Sequence, residues 1–337
     1  MSQGRRHNNN FDLLRIAAAL QVAIIHSAVH LKLGFGPLLN AVSMVPGVPV
    51  FFVISGFLVS ESFERSSLSS YFRKRALRIF PGMWVCLAVS VAIAAASGVS
   101  FAHWQTVPWL ASQLTFVQFY NPDFLRGFGV GVLNGSLWTI PVELQFYLAL
   151  PFLYWALRSN LALVLAIAAA VLVNQVFVYS GGAAADTVKM KFAGVTLAPY
   201  LYTFLFGVLL QKNRELVRRY LAGWLPLWIV LYVGTEILMR HVGGFVSGNY
   251  LNPVSSAVLA CLVVSAAYAK PLPVKHDLSY GLYLYHMPVI NAFLAAGAAG
   301  SRWSAVAAIT LAFVLAGFSW FLIERPALGL KPRLIPA

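Results

Sequence analysis

Apolar runs of about twenty residues, broken by short polar or basic stretches, recur along the whole chain. A helix rises ~1.5 Å per residue, so a run of ~20 apolar residues crosses the ~30 Å hydrocarbon core of a bilayer. Ten such segments can be marked, near 11–31, 42–61, 79–100, 136–156, 161–180, 195–211, 221–239, 252–269, 278–298 and 303–323. The pattern predicts an all-α polytopic membrane protein with about ten transmembrane helices. The longest connection, 101–135, carries Trp104, Trp109, Phe116, Phe119 and Tyr120. Aromatic residues at that density predict an interfacial or re-entrant element instead of a free loop. There is no repeat and no low-complexity linker. The expected layout is a cytoplasmic segment 1–10, one membrane domain 11–326 and a cytoplasmic tail 327–337.

Composition agrees with this picture. The chain is 60% hydrophobic and 10% charged, with a mean hydropathy of +0.76, which excludes an ordinary soluble domain. A net charge of +14 raises the question of nucleic acid. The basic residues, however, lie in short loops between apolar segments, so no nucleic-acid partner is implied. Six of them (Lys32, Arg126, Lys189, Lys191, Arg240 and Arg302) fall on one side of the ten-span layout, and nearly all the others fall opposite. That asymmetry puts both termini in the cytoplasm of a protein of the inner (plasma) membrane. Cys86 and Cys261 lie within apolar stretches and predict no disulfide. The basic start leads into a segment with Asp12, Arg15 and His26, better suited to a retained anchor than to a cleaved signal.

Charged and polar residues inside the spans are where chemistry is expected. An arginine at the centre of a membrane helix costs ~2.5–3.5 kcal/mol, so such groups face a protein interior and serve a function. Arg15 and His26 share the first span, roughly 16 Å apart along its axis, which places His26 in the outer half of the bilayer. Glu143, in the fourth span, lies at a similar depth. A carboxylate beside an imidazole makes the ring a better general base; the competing reading of Glu143 is a packing hydrogen bond to Trp138 or Tyr147. Asp12 is three residues before Arg15 and can pair with it. Arg75 and Arg78, also three apart, share a helix face and form a fork suited to phosphate. Ser279, Tyr283 and His286 make a polar stripe in the ninth span, which a structural hydrogen-bonding seam would also explain; Tyr280, Tyr283 and His286 are the candidates to line an acceptor path. His26 and His30 stand four apart, but nothing completes a metal site, so no metal is expected. The residues alone also suit a proton-coupled secondary transporter or a flippase.

Six blocks in order give the chain a resemblance to the membrane-bound acyltransferase family 3. They are FDLLRIAAALQVAIIHS with Arg15 and His26, PVFFVISGFLVS around Ser55, FRKRALRIFPGMW with Arg75 and Arg78, GSLWTIPVELQFYLALP with Glu143, LSYGLYLYHMPV with His286, and the closing IERPA with Glu324. The resemblance runs from Phe11 to Pro326 and is to stand-alone members, without the hydrolase-like domain fused to some others. It implies an O-acyltransferase that takes acyl groups from acyl-CoA, mainly acetyl-CoA, as a co-substrate with no bound cofactor, and passes them to a carbohydrate, glycolipid or small-molecule acceptor. In that scheme Arg75 and Arg78 bind the phosphates of the donor, Arg15 lines its path, and His26 is the general base with Glu143 beside it. Asp12, Ser55, Tyr283 and His286 support the site or line the acceptor path. Direct transfer and an acyl-enzyme on His26 both remain open.

Overall fold

The computed structural model describes residues 9–34, 36–181, 187–242, 248–272 and 274–330. Most of the expected tail (331–337) and most of the N-terminal segment, with Arg5, Arg6, Lys331 and Arg333, lie outside the described residues. Every regular element among those described is helical. In chain order the helices are α1 Phe11–His30, α2 Pro37–Ser43, α3 Gly47–Glu64, α4 Leu68–Ala96, α5 Thr106–Leu114, α6 Thr139–Ala156, α7 Asn160–Tyr179 and α8 Val188–Ala193. There follow α9 Leu201–Lys212, α10 Arg214–Tyr220, α11 Leu225–His241, α12 Pro253–Ala267, α13 Ser279–Ala295, α14 Arg302–Ser319 and α15 Arg325–Gly329, with a π-helical turn Trp320–Glu324 before the last.

Among the described residues, five helical stretches are long and apolar enough to cross a membrane: Phe11–His30, Pro37–Glu64, Leu68–Ala96, Asn160–Tyr179 and Arg302–Gly329. A sixth is added if α10 and α11, bent by 92° at their break, count as one span. This is fewer than the ten that the apolar runs predict. Helices α9, α12 and α13 have 12, 15 and 17 residues, so these runs are helical over less than a full bilayer crossing. Apolar side chains point outward in numbers that water would not tolerate: Leu172 and Val230 are each 67% exposed. This is the surface of a chain whose solvent is lipid.

The third span starts earlier than its apolar run. Ser67 accepts a hydrogen bond from the Ser70 amide at 3.3 Å and caps α4, so the basic run 73–78 is helical and continuous with the span. Two prolines then create docking points. A proline has no N–H, so the carbonyl four residues before it is left without its helical partner. Before Pro151 that carbonyl belongs to Tyr147, and the Tyr71 hydroxyl donates to it at 3.0 Å. Before Pro288 it belongs to Leu284, which accepts from Asn134 Nδ2 at 2.9 Å and from Cys86 Sγ at 3.3 Å.

The chain divides into two compact units: Met1–Ala18, Met44–Glu64 and Leu148–Asp277 form the first; Ala19–Ser43, Arg65–Tyr147 and Leu278–Ala337 form the second. The first unit's core gathers Phe11, Val53, Phe57, Leu259 and Val263, with α3 packed on α9 and α12. Its backbones meet at Gly56 and Gly207. A Cβ on Gly207 would overlap the Val53 carbonyl oxygen, and one on Gly56 would overlap that of Phe204. Gly207→Ala is therefore expected to cost about 1–3 kcal/mol or more, seen as a lowered Tm in lipid nanodiscs. Gly234→Ala, where the added methyl meets nothing within 4 Å, should be neutral or stabilising by up to ~1 kcal/mol.

In the second unit α13 packs against α14 and α4. The 101–135 segment is not a free loop: it holds α5 and folds onto α13. Asn291 donates to the carbonyls of Val132 and Leu133 at 2.8 and 3.0 Å and accepts from the Val130 amide at 3.0 Å. Gly129, at φ +55°, fits where any Cβ would strike the Asn291 amide. Trp109, Leu125, Phe128 and Leu133 are buried in one cluster with Leu87 and Ala94 of α4.

Candidate functional site

His26 and His286 come from helices far apart in sequence and meet in the second unit, with His26 Nδ1 3.0 Å from His286 Nε2. His286 is 1% exposed, and its Nδ1 lies 3.2 Å from the Leu282 carbonyl oxygen. A carbonyl only accepts, so the proton on neutral His286 sits on Nδ1, and its Nε2 carries a lone pair. That lone pair accepts from His26 Nδ1–H. The Nε2 of His26 is then left unprotonated, as a general base requires. The ring of His30 stands edge-on to His26, with centroids 5.6 Å apart.

The expected partner of His26 was Glu143, and here the geometry differs: the imidazole is held by another imidazole. Glu143 accepts instead from the hydroxyl of Tyr147, one turn along α6, as the packing alternative anticipated. Tyr283 is buried, 2.8 Å from the Thr139 hydroxyl and donating to the Ser136 carbonyl at 3.1 Å, with its ring beside that of His286. Ser279 is buried on the same helix.

Arg75 and Arg78 lie on α4, one turn apart as their spacing predicts, and each lies over an aromatic ring. Arg75 is 5.6 Å from the centroid of Tyr147, the residue that donates to Glu143. Arg78 is 5.5 Å from that of Tyr280 and 4.0 Å from Glu324 Oε2. Glu324 is 3% exposed, closes the π-helical turn and accepts from Ser319 at 2.9 Å. Single π turns often mark functional positions; this one aims a carboxylate at the basic face of α4. That Tyr147 also lies under Arg75, that Tyr280 lies under Arg78, and that Glu324 pairs with Arg78 are not evident in the sequence.

Asp12, Arg15 and Ser55 belong to the first unit. Arg15 is 3.8 Å from Asp12, as expected, and 3.5 Å from Asp277, which no sequence pattern had singled out. Asn10 holds the start of α1 in place by donating to the carbonyls of Ala266 at 3.1 Å and Lys270 at 3.2 Å. Ser55 is buried at mid-helix in α3. Among the described residues no three His, Cys, Asp or Glu converge as a metal site would need.

A family profile described as Acyltransferase domain matches residues 8–324. Nodulation protein 10 of Rhizobium leguminosarum is 38% identical, over 98% of this chain and 95% of the relative. The O-acetyl transferase of Shigella phage Sf6 is 25% identical over 94% of this chain and 95% of its own length. Peptidoglycan O-acetyltransferase OatA of Listeria monocytogenes is 24% identical over 96% of this chain, which covers 56% of that longer protein. No solved structure matches.

Proposed function

The chain belongs to the acyltransferase family, and from that premise we propose that it is a multi-pass enzyme of the inner (plasma) membrane. It moves an acyl group, in the first place acetyl, from cytoplasmic acyl-CoA to a hydroxyl of a carbohydrate or glycoconjugate. The family gives no support to the carrier that composition alone allowed. The names of two relatives, a peptidoglycan O-acetyltransferase and an exopolysaccharide production protein of Rhizobium meliloti, favour a polysaccharide-type acceptor.

The observation that carries this reading is the pair of imidazoles, which leaves one basic nitrogen on His26. His26 Nε2 takes the proton of the acceptor hydroxyl as its oxygen attacks the thioester carbonyl. A C–O bond forms, the C–S bond breaks, and the proton passes from the imidazolium to the sulfur, which leaves as the free thiol of coenzyme A. His286 accepts the Nδ1–H throughout and spreads the charge of the imidazolium. Arg75 and Arg78 pair with donor phosphates from the cytoplasmic end of α4. Arg15, tied to Asp12 and Asp277, lines the donor's approach with both termini in the cytoplasm; no resident cofactor takes part. Removing the gene should strip an acetyl increment from one class of envelope or secreted glycan, as read by mass spectrometry. The wild-type gene should restore it. Glycans unchanged in every fraction would count against the reaction.

A further inference from the structure

We propose that the cavity at the junction of the 101–135 segment with the start of α6 binds one neutral pyranose ring, the sugar that receives the acyl group; this rests on the reaction proposed above. The cavity has a volume of about 150 Å³, below the ~300–1,000 Å³ of sites for drug-sized ligands, which fits a single ring. Its walls combine the aromatic rings of Trp109, Tyr120 and Trp138 with the amides of Gln113, Gln118 and Asn121. A pyranose needs that combination. Its C–H faces are apolar and lie flat against aromatic rings, while its edge carries neighbouring hydroxyls that both donate and accept, as a primary amide does.

Gln118 supplies a second, independent observation. The side chain is 5% exposed, and its Nε2 is engaged by Met83 Sδ at 3.4 Å and by the Thr115 carbonyl. Its Oε1 is buried with no hydrogen-bond partner. A buried acceptor without a donor is unfavourable; a sugar hydroxyl that reaches it from the cavity, whose wall includes Gln118, would supply the missing proton. Gln113 is held ready, donating to the carbonyls of Gln118 and Tyr120 at 3.3 Å each. No charged residue lines the space. The carboxylate of a uronic acid would lose its water there without gaining a cation, so neutral sugars are selected.

The cavity also abuts the histidine pair's helix. Asn134, in its wall, is bonded to the Leu284 carbonyl, and a Cβ on Gly135 would touch Met287 at 3.6 Å; these α13 residues flank His286. A ring seated here stands against a wall that contacts the helix carrying His286.

The test is a titration of the full-length protein in lipid nanodiscs prepared without glycoside detergent, in the absence of donor. The probes are methyl β-glycosides of glucose, galactose and mannose and the methyl glycoside of glucuronic acid, read by tryptophan fluorescence and saturation-transfer NMR. At least one neutral glycoside should bind tenfold more tightly than the uronate, and Gln118→Leu should weaken it at least tenfold. Asn121→Leu, at a half-buried position, carries the same expectation should Gln118→Leu fail to fold. No binding of any neutral glycoside, equal binding of the uronate, or binding unmoved in both variants overturns the assignment. Transfer to a carbohydrate with an acceptor KM indifferent to both variants would strike the cavity and spare the reaction. Sugar binding that follows these rules in a protein unable to transfer would strike the reaction and spare the cavity.

Discussion

Replacing His26 with alanine is expected to lower acyl transfer about 10²–10⁴-fold, the usual share of a positioned general base, with the protein still inserted and folded. The ring is half-buried and its only described hydrogen bond is to His286, so its loss removes little packing. The fold keeps Pro288, Asn291 and Leu284 to hold α13 in place. His286 acts through His26 as a positioning residue, and its variants separate that role from mere bulk. His286→Gln keeps an amide oxygen able to accept from Nδ1–H and should retain more activity than His286→Ala, which leaves the tautomer of His26 unset. A loss in kcat with an unchanged donor KM is the expected pattern. His26→Ala with undiminished transfer, or His286→Gln no better than His286→Ala, would contradict the assignment of the two rings.

The second large effect separates the two arginines. Arg78→Ala removes a cation 4.0 Å from the Glu324 carboxylate, which is 3% exposed, and breaking a buried pair from one side costs about 3–5 kcal/mol. It should therefore lower Tm steeply in addition to weakening the donor. Arg78→Leu combined with Glu324→Leu removes both charges and should recover much of the stability but none of the donor affinity. Arg75→Ala removes a cation that lies over Tyr147. It should mainly raise the donor KM, by about tenfold for one charge-assisted hydrogen bond of ~1.5 kcal/mol. Thermal unfolding beside donor titration distinguishes the three variants. Equal Tm for Arg75→Ala and Arg78→Ala would show that Glu324 does not depend on Arg78.

Much of this was readable in the sequence wherever the signal is local. The apolar runs became helices, the i, i+3 spacing put Arg75 and Arg78 on α4, and Asp12 did pair with Arg15. A single helix pattern reports a face and never the neighbour that covers it. The stripe on α13 marked His286 as polar but could not say that it faces His26, 260 residues away, in place of Glu143. Asp277 reaches Arg15 from just before α13, where no periodicity points to it. The number and length of the spans are legible only in part, for a related reason. Hydropathy measures how apolar a run is, whereas caps and breaks decide how much of it is helical, as at α9 and at the bend between α10 and α11. The aromatic density of 101–135 does mark a segment that is not free, since Asn291 holds it at Val132 and Leu133. That Trp109 is 2% exposed and lines a cavity depends on the hold of Asn291 and Leu284 on that segment, a tertiary fact with no local trace.

The most direct test feeds acetyl-CoA labelled in the acetyl carbonyl to the purified protein in nanodiscs, together with the glycan fraction isolated from a strain lacking the gene. Label should appear as an ester on the glycan, one for each thiol of coenzyme A released, and the His26→Ala protein should give neither product. Label that stays on the thioester with the wild-type protein, or that reaches the glycan equally well without the imidazole, would contradict the account.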